Sequence, residues 1–261
     1  MVYTWPPFLY ASRTMMLIVS ALDEELKTCM ELCRDVLLMP WPDVSVWQAR
    51  TAKGTSIAFL RTGVGPEKST ARIRKAFDWI EPDLMLIAGY AGALDPDLKI
   101  GDFVAGTSVA EFRFNEKYPD WNHIETKTPF DLTHVDALMA VGLAGLPIFK
   151  GRILSTRNIL GNPKHKNLLF RKFQASVVDM ETAFLTREAT LRKIPVSALR
   201  VISDTALDSF LEPFERDTEI KLIDRARKIL QTGPVNSWRE WKSRSTIACA
   251  ALRRFWEIYL T

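Results

Sequence analysis

Three acidic residues each follow a short apolar run, and their chemistry suits a reaction that develops positive charge. Glu25 follows the run 15–22, Glu181 follows 177–180, and Asp204 follows 196–202. Cleavage of an N-glycosidic bond passes through an oxocarbenium-like sugar, which nearby anions stabilise more than they stabilise the substrate. The departing base also needs a proton, which a protonated carboxyl can donate. Together the three residues indicate this chemistry, although each alone is more typical of a helix N-cap or a solvated loop.

Two glycine-containing segments lie at the ends of other apolar runs. Gly63 and Gly65 follow the run 56–61, and Gly89 and Gly92 follow the run 84–88. Neither segment has the spacing of a dinucleotide fingerprint or a P-loop. Two interpretations stay open: tight turns that use glycine's conformational freedom, or close approach of the backbone to a sugar or an oxyanion.

Apolar runs alternate with stretches of helical periodicity along most of the chain. We predict strands over 15–22, 56–61, 84–88, 102–109, 151–155, 177–180 and 196–202. We predict helices over 23–36, 66–80, 132–145, 181–192 and 215–231, and loops over 111–130 and 156–167. This alternation predicts an α/β fold with a mostly parallel mixed sheet covered by helices on both faces. In such sheets ligands bind beyond the carboxyl ends of the strands, where the three acids and the glycines lie.

Five stretches carry a resemblance to a known family. They are LIVSALDEEL (17–26), RTGVG (61–65), PDLMLIAGYAGALDPDLKIGDFVAGTSV (82–109), VVDMETAFL (177–185) and PVSALRVISDTA (195–206). In order and spacing the chain resembles the methylthioadenosine/S-adenosylhomocysteine nucleosidases, within the wider nucleoside phosphorylase superfamily, from about residue 15 to about 231. The resemblance implies a twisted mixed sheet between helices, a purine-type nucleoside substrate, a homodimer and no cofactor or metal.

The resemblance also implies roles for individual residues. Glu25 matches the general base that activates water, and Asp204 matches the general acid that protonates N7 of the purine. Glu181 matches the carboxylate that binds the ribose 2′- and 3′-hydroxyls, with Met180 packed on the ribose. The remaining implied substrate-binding residues are Gly89, Ile159, Leu160, Arg200, which helps to order the nucleophile site, Ser203, and Phe214, which covers the 5′ side.

The chain departs from the family pattern at three places. Tyr90, which we expect at the substrate, stands where the family has a small hydroxyl residue. Arg157 and Asn158 stand near the position where the family stacks an aromatic ring on the purine, so that Ile159 and Leu160 would read the base through their backbones. The segment 111–130 also differs from the family's, so the 5′ substituent of the nucleoside stays open.

Water, rather than phosphate, is expected to attack the sugar. The loop 20–25 contains three acids and lacks the basic residue that marks the phosphorylases, and these anions would repel phosphate. Arg61 and Arg113 keep phosphorolysis as an alternative, including cleavage of a lipid nucleoside as in the related hopanoid-pathway proteins. A catalytically inactive nucleoside-binding relative is a further alternative, against which the retention of Glu25, Glu181 and Asp204 argues.

The bulk composition excludes several classes of protein. With 47% hydrophobic and 25% charged residues among 261, the chain is typical of a globular α/β domain. The net charge of +4 includes +3 in 236–261, so the rest is near neutral and no nucleic-acid partner is expected. Three cysteines and three histidines show neither a disulfide framework nor a zinc-ligand spacing, and a cytoplasmic protein is expected.

We divide the chain into an N-terminal extension (1–14), a nucleosidase-like domain (15–235) and a basic amphipathic C-terminal helix (236–261). In this helix an apolar stripe recurs every three or four residues, at Trp238, Trp241, Ser245, Ala248, Leu252, Phe255 and Tyr259. The favoured interpretation is a helix that docks on its own domain or on a second subunit. Binding to an anionic membrane surface is the alternative.

Overall fold

The computed structural model describes residues 15–114, 120–209 and 235–260, with side chains described in 235–260 only from residue 243. The strands are β1 Met15–Ser20, β2 Arg34–Leu38, β3 Val46–Arg50, β4 Ser56–Arg61, β5 Leu84–Ala93, β6 Phe103–Phe114, β7 Ile124–Thr126, β8 Phe130–Asp131, β9 Ile148–Ser155, β10 Val177–Asp179 and β11 Val196–Asp204. The helices are α1 Asp23–Met30, α2 Pro66–Phe77, α3 Val135–Gly142, α4 Pro163–Phe173, α5 Thr182–Thr190 and α6 Val235–Tyr259.

The strands form one mixed sheet that curls back on itself. Its order is β10-β9-β6-β11-β5-β1-β4-β3-β2, and β10 also pairs with the end of β5. The central strands β4, β1, β5 and β11 run parallel, whereas β11 and β6 pair antiparallel. Because the central strands are parallel, their carboxyl ends meet at one edge of the sheet, which is where the predicted acids lie.

Helices cover both faces of the sheet, as the alternation of strands and helices predicts. Leu17 and Val19 face a core that includes the buried sides of α2 and α5. Ile18, between them, faces a second core that includes residues of α1, α3 and α6. A smaller cluster packs the ends of β6 and β9 against α4. The predicted three-layer α/β class is confirmed.

Strand β5 extends beyond the predicted 84–88 and contains residues 89–92, which we call the glycine block. Its pairing with β11 continues from Met85 through Gly92, and Ala93 pairs with Val177 of β10. The prediction that Gly89 and Gly92 end the strand is therefore wrong. The backbone stays extended because it pairs with β11 as far as Gly92 and with β10 at Gly92 and Ala93, which a local pattern of residue types does not reveal.

The chain around residue 35 also differs from the prediction. Helix α1 ends at Met30 rather than Val36, and 34–38 form the edge strand β2, which pairs with β3. Asp35 has a φ of 55°, in the left-handed region that interrupts a helix. The apolar residues beyond Met30 have a helical spacing, but hydrogen bonds to β3 give 34–38 the conformation of an edge strand.

Both predicted loops contain regular structure. In 111–130, the end of β6 pairs with β7, and Phe112 stacks on Trp121 with ring centroids 5.9 Å apart. Phe130 begins β8, which pairs with the middle of β6. In 156–167, helix α4 begins at Pro163, with the Asn162 side chain accepting a hydrogen bond from the Lys164 amide. Asn at the N-cap and Pro at the first helical position are a signal for a helix start that our prediction overlooked. The predicted helix 215–231 lies outside the described residues.

The C-terminal helix docks on its own domain. Ala248, Leu252 and Phe255 of α6 are fully buried in the core that includes α1 and α3. Arg253 of α6 pairs with Glu31, just beyond α1, at 2.6 Å. The described part of the apolar stripe is thus covered by protein, in agreement with the favoured interpretation. Among the described helices, none combines the length and the apolar character needed to cross a membrane.

Candidate active site

A cavity of about 220 Å³ opens at the carboxyl ends of the central strands. Four carboxylate residues line it: Glu25, Asp179, Glu181 and Asp204. Predicted residues Tyr90, Ile159, Leu160, Met180 and Ser203 line it too. The fold therefore brings together residues that are spread over about 180 positions of sequence, from β1 to β11.

Glu25 is held rigidly by two backbone amides. It is the third residue of α1, and its Oε2 accepts a hydrogen bond from the amide of Leu22, the helix N-cap, at 2.8 Å. Its Oε1 accepts from the amide of Tyr90 in β5 at 2.8 Å. Burial raises the pKa of Glu25 to about 7, more than these amides and Arg200 lower it.

Gly89 explains how Glu25 comes so close to β5. A Cβ atom at Gly89 would stand 2.6 Å from Oε1 of Glu25 and 3.1 Å from Nη1 of Arg200. Gly89 itself does not line the cavity, so the structure places it under the glutamate. Of the two interpretations of the glycine block, close approach applies here, with a side-chain carboxylate rather than a substrate as the group that approaches.

Glu181 also lines the cavity, close enough to Glu25 for the charges of the two side chains to interact. Its Oε1 accepts a hydrogen bond from the amide of Gly65, the residue before α2, at 2.7 Å. Gly63 and Gly65 have φ angles of 72° and 95°, so this segment is a turn that glycine permits and that presents an amide to the carboxylate. Burial, followed by the neighbouring charge of Asp179, raises the pKa of Glu181 to about 7.

Asp179 anchors a buried polar cluster behind Glu181. Its Oδ2 lies 2.6 Å from Nη2 of Arg200, and its Oδ1 accepts a hydrogen bond from the Ser155 hydroxyl at 2.5 Å. The Thr182 hydroxyl bonds to Asp179 and accepts from Nε of Arg200 at 3.1 Å. Arg200 is 2% exposed and does not line the cavity, so it acts on the site through Asp179 and its charge near Glu25.

Asp204 lies further along β5 than Glu25, because a Cβ at Gly92 would stand 2.8 Å from Oδ2 of Asp204 whereas one at Gly89 meets Glu25. We refer to these two positions as the two ends of the cavity, and the Asp204 end includes a buried lysine. Its Oδ2 lies 2.5 Å from Nζ of Lys166, and its Oδ1 accepts a hydrogen bond from the Ser203 hydroxyl at 3.0 Å. The Lys166 side chain is fully buried, and it also donates to the carbonyl oxygen of Thr205 at 2.7 Å. The carboxylate expected to protonate the base therefore lies directly against a side chain that itself carries protons.

Among the described residues, none on the wall expected to face the base supplies a stacking ring. Asn158, Ile159 and Leu160 line the cavity, whereas Arg157 pairs with Glu67 at 2.9 Å. Tyr90 is the one aromatic residue among the described lining residues. Its hydroxyl lies 3.5 Å from the carbonyl oxygen of Ser245 in α6, and burial raises the pKa of the phenol.

Neither of the two arginines that kept phosphorolysis open lines this cavity. Arg61 pairs with Asp23 at 2.6 Å, and Arg113 lies on a separate cavity with Glu125 3.6 Å away. Phe214 lies outside the described residues, so its expected place on the 5′ side stays a prediction. Among the described residues, no cluster of His, Cys, Asp and Glu has the arrangement of a metal site.

Lys166, Asp179, Ser155 and Thr182 are the site residues that sequence reasoning missed. Asp179 stands next to the predicted Met180, and its position in the apolar run 177–180 was a signal of a partnered buried charge. Lys166 lies on the helix that we predicted as a loop. Recognising Asn162 and Pro163 as a helix start would have placed it on a helix, but not beside Asp204.

Comparison with known proteins identifies the family. The profile of the phosphorylase superfamily matches residues 17–232. The chain belongs to this superfamily. A 5′-methylthioadenosine/S-adenosylhomocysteine nucleosidase of Geobacillus kaustophilus is 23% identical over 224 residues, which cover 82% of this chain and 94% of that protein. An aminodeoxyfutalosine nucleosidase of Campylobacter jejuni is also 23% identical, with 72% of this chain and 85% of that protein covered.

Solved structures agree with the fold. The 5′-methylthioadenosine/S-adenosylhomocysteine nucleosidase of Neisseria meningitidis, in complex with methylthio-immucillin-A, superposes with a TM-score of 0.73 at 16% identity, covering 95% of this chain and 98% of that one. The futalosine hydrolase of Helicobacter pylori superposes with a TM-score of 0.68 at 18% identity, covering 93% and 97%. The predicted superfamily and architecture are thereby confirmed.

Proposed function

We propose that this protein hydrolyses the N-glycosidic bond of an adenosine-type nucleoside with a modified 5′ position. The carrying observation is that one cavity is lined at one end by Glu25, held on two backbone amides, and at the other by Asp204, beside a buried cation. The relatives, named for 5′-methylthioadenosine, S-adenosylhomocysteine and aminodeoxyfutalosine, support this substrate class.

In the proposed reaction, Glu25 takes a proton from a water molecule that attacks C1′ of the ribose. Glu181 accepts hydrogen bonds from the ribose hydroxyls, and Asp204 passes a proton to N7 of the departing purine. Four carboxylate residues line the cavity and two buried cations, Arg200 and Lys166, stand behind them. The excess of acidic groups stabilises an oxocarbenium-like sugar and disfavours the binding of phosphate.

Release of free adenine is the test. The purified protein is incubated with adenosine, 5′-methylthioadenosine and S-adenosylhomocysteine, with and without phosphate, and products are separated by chromatography. Free adenine and free sugar in phosphate-free buffer are expected. A sugar 1-phosphate formed only with phosphate would replace hydrolysis by phosphorolysis, the alternative that includes a lipid nucleoside.

Asp204→Asn tests the proposed proton delivery. The variant should lose about 10²- to 10⁴-fold in kcat, since the amide cannot pass a proton to the base. Asp97→Asn, an exposed change between β5 and β6, is the matched control and should keep full activity. Adenine release by Asp204→Asn at the rate of the control would remove Asp204 from the mechanism. Binding of nucleosides without any cleavage by the natural protein would support the inactive relative.

A homodimer and a cytoplasmic location stay predictions, and sedimentation of the purified protein checks the first. For the membrane surface the structure adds no support, because Ala248, Leu252 and Phe255 of α6 are buried within the domain. Absence of binding to anionic liposomes at low salt is the expected result.

A further inference from the structure

The contact between Lys166 and Asp204 joins helix α4 to strand β11, and no sequence motif includes both residues. Lys166 projects from α4 and Asp204 ends β11, 38 residues further along the chain. Nζ of Lys166 has two acceptors at short distance, Oδ2 of Asp204 at 2.5 Å and the carbonyl oxygen of Thr205 at 2.7 Å. A fully buried lysine is rare unless it is paired, and this one is paired with a residue that faces the cavity.

This arrangement places a proton donor directly against the carboxylate proposed to protonate the base. Oδ2 of Asp204 accepts from Lys166 at 2.5 Å, and Oδ1 lies 3.0 Å from the Ser203 hydroxyl, which also lies 3.3 Å from the carbonyl oxygen of Ala91. Release of a purine needs a proton at the base. The ammonium of Lys166 is the closest described group to Asp204 that carries a proton it can release, because a serine hydroxyl is a far weaker acid.

We propose that Lys166 supplies the proton that Asp204 passes to the departing base, so that the two residues act as one proton-donating pair. The inference rests on the proposed nucleosidase function and deepens it. Lys166 is absent from the cavity lining and reaches the substrate only through Asp204, which makes it a positioning and proton-supplying residue rather than a substrate contact.

The step balances in protons and electrons. The C1′–N9 bond breaks, and its electron pair passes into the purine. An N–H bond of Lys166 breaks, Asp204 relays the proton, and an N7–H bond forms, which leaves a neutral amine and a carboxylate. Glu25 has taken one proton from the attacking water. After the products leave, Glu25 releases that proton to solvent and solvent returns one to Lys166.

Several other titratable groups lie near the pair in the chain or line the same cavity. Asp208 accepts from the amide of Thr205 at 2.7 Å and pairs with Arg244 of α6 at 3.0 Å. His165, next to Lys166 on α4, stacks on Trp121. Glu25 and Glu181 line the same cavity and have pKa values raised to about 7. Comparing a variant with the natural protein at each pH separates the effect of Lys166 from the pH dependence that both proteins share.

The test compares Lys166→Met with the natural protein in kcat for adenine release between pH 6 and pH 8. Without Lys166, Asp204 must take its proton from solvent. At pH 8 we expect a loss of about 10²-fold in kcat with little change in KM. The ratio of variant to natural kcat should then rise as the pH falls, because solvent must supply the proton that Lys166 supplies in the natural protein. Lys164→Met, an exposed change on the same helix, should behave as the natural protein.

Lys166→Arg separates proton supply from charge. Arginine keeps a cation beside Asp204 but does not release a proton in this pH range, so this variant should be slow at every pH. Natural activity in Lys166→Arg, or a kcat ratio for Lys166→Met that is constant with pH, would overturn the inference and leave Lys166 a structural role. If Lys166→Arg does not fold, the pH dependence of the methionine variant decides alone. Absence of adenine release by the natural protein would instead contradict the proposed function.

Discussion

The two ends of the cavity use carboxylates in opposite ways. At the end of Glu25 and Glu181, the carboxylates accept hydrogen bonds from backbone amides, and burial raises their pKa values to about 7. At the end of Asp204, the carboxylate is more exposed and pairs directly with the Lys166 ammonium. In the proposed reaction the same type of functional group takes a proton at one end and passes one on at the other, because its neighbours differ.

The cation that stands near the first end is placed differently. Arg200 bonds to Asp179 at 2.6 Å and acts on Glu25 only through its charge. A direct ion pair at Glu25 would favour the carboxylate and weaken it as a base. The difference between the ends therefore depends on which carboxylate each buried cation contacts.

Of the variants that test the difference between the two ends, Glu25→Gln should reduce kcat the most. The amide retains much of the shape but cannot take a proton from water, so kcat should fall about 10²- to 10⁴-fold. Steady-state kinetics of adenine release measure it. The control is Glu24→Gln, its exposed neighbour on α1, which should change kcat little. Equal kinetics for the two variants would show that Glu25 is not the base.

Gly89→Ala and Gly92→Ala should each disturb the carboxylate at one end only, with an intermediate loss of kcat. A Cβ at Gly89 would stand 2.6 Å from Oε1 of Glu25, and one at Gly92 would stand 2.8 Å from Oδ2 of Asp204. Each variant displaces one carboxylate by a fraction of an ångström or more, and misplacement of about 1 Å can cost about 10²-fold in rate.

Because the displaced atoms are the ends of side chains, the fold should remain and the loss should appear in kcat. Gly142→Ala in α3, where the nearest atom would be 3.5 Å away, is the control for both. Thermal unfolding together with kcat measures the outcome. Unchanged kcat in Gly89→Ala would mean that the position of Glu25 does not matter for the reaction.

The smallest expected effect is that activity rises and stability falls as the pH increases. Glu25 must be deprotonated to act as a base, so kcat/KM should rise as the pH increases through about 7. The folded protein retains the protons of Glu25 and Glu181 up to about pH 7, whereas the unfolded chain loses them near the ordinary value of 4.5. The free energy of unfolding should therefore decrease as the pH rises through this interval.

Melting temperatures from pH 5 to pH 8 check the stability, and Glu25→Gln should make their decrease shallower. A melting temperature that rises steadily over this interval, equally in the variant and the natural protein, would contradict the raised pKa values. In that case the first end of the cavity would hold ordinary ionised carboxylates, and the difference between the ends would be smaller than proposed.

Much of the fold followed from local patterns. Strand β4 and the start of α2 lie where the apolar run 56–61 and Pro66 predicted them, because a buried parallel strand and a helix start have strong local signals. The edge strand β2 and its neighbour β3 were not predicted, and β5 was predicted too short. Their conformations depend on hydrogen bonds to partner strands that a local pattern does not contain.

By itself the sequence determined the superfamily, the layer order and the acids at the strand ends, because each of these depends on residue types at a few consecutive positions. Only the tertiary structure decided which groups touch those acids. Lys166 meets Asp204 across 38 residues, Gly89 admits Glu25 across the sheet, and Arg200 bonds to Asp179 rather than to substrate. The protonation of a carboxylate depends on burial and on its nearest charges, and both are set by the packing of distant elements.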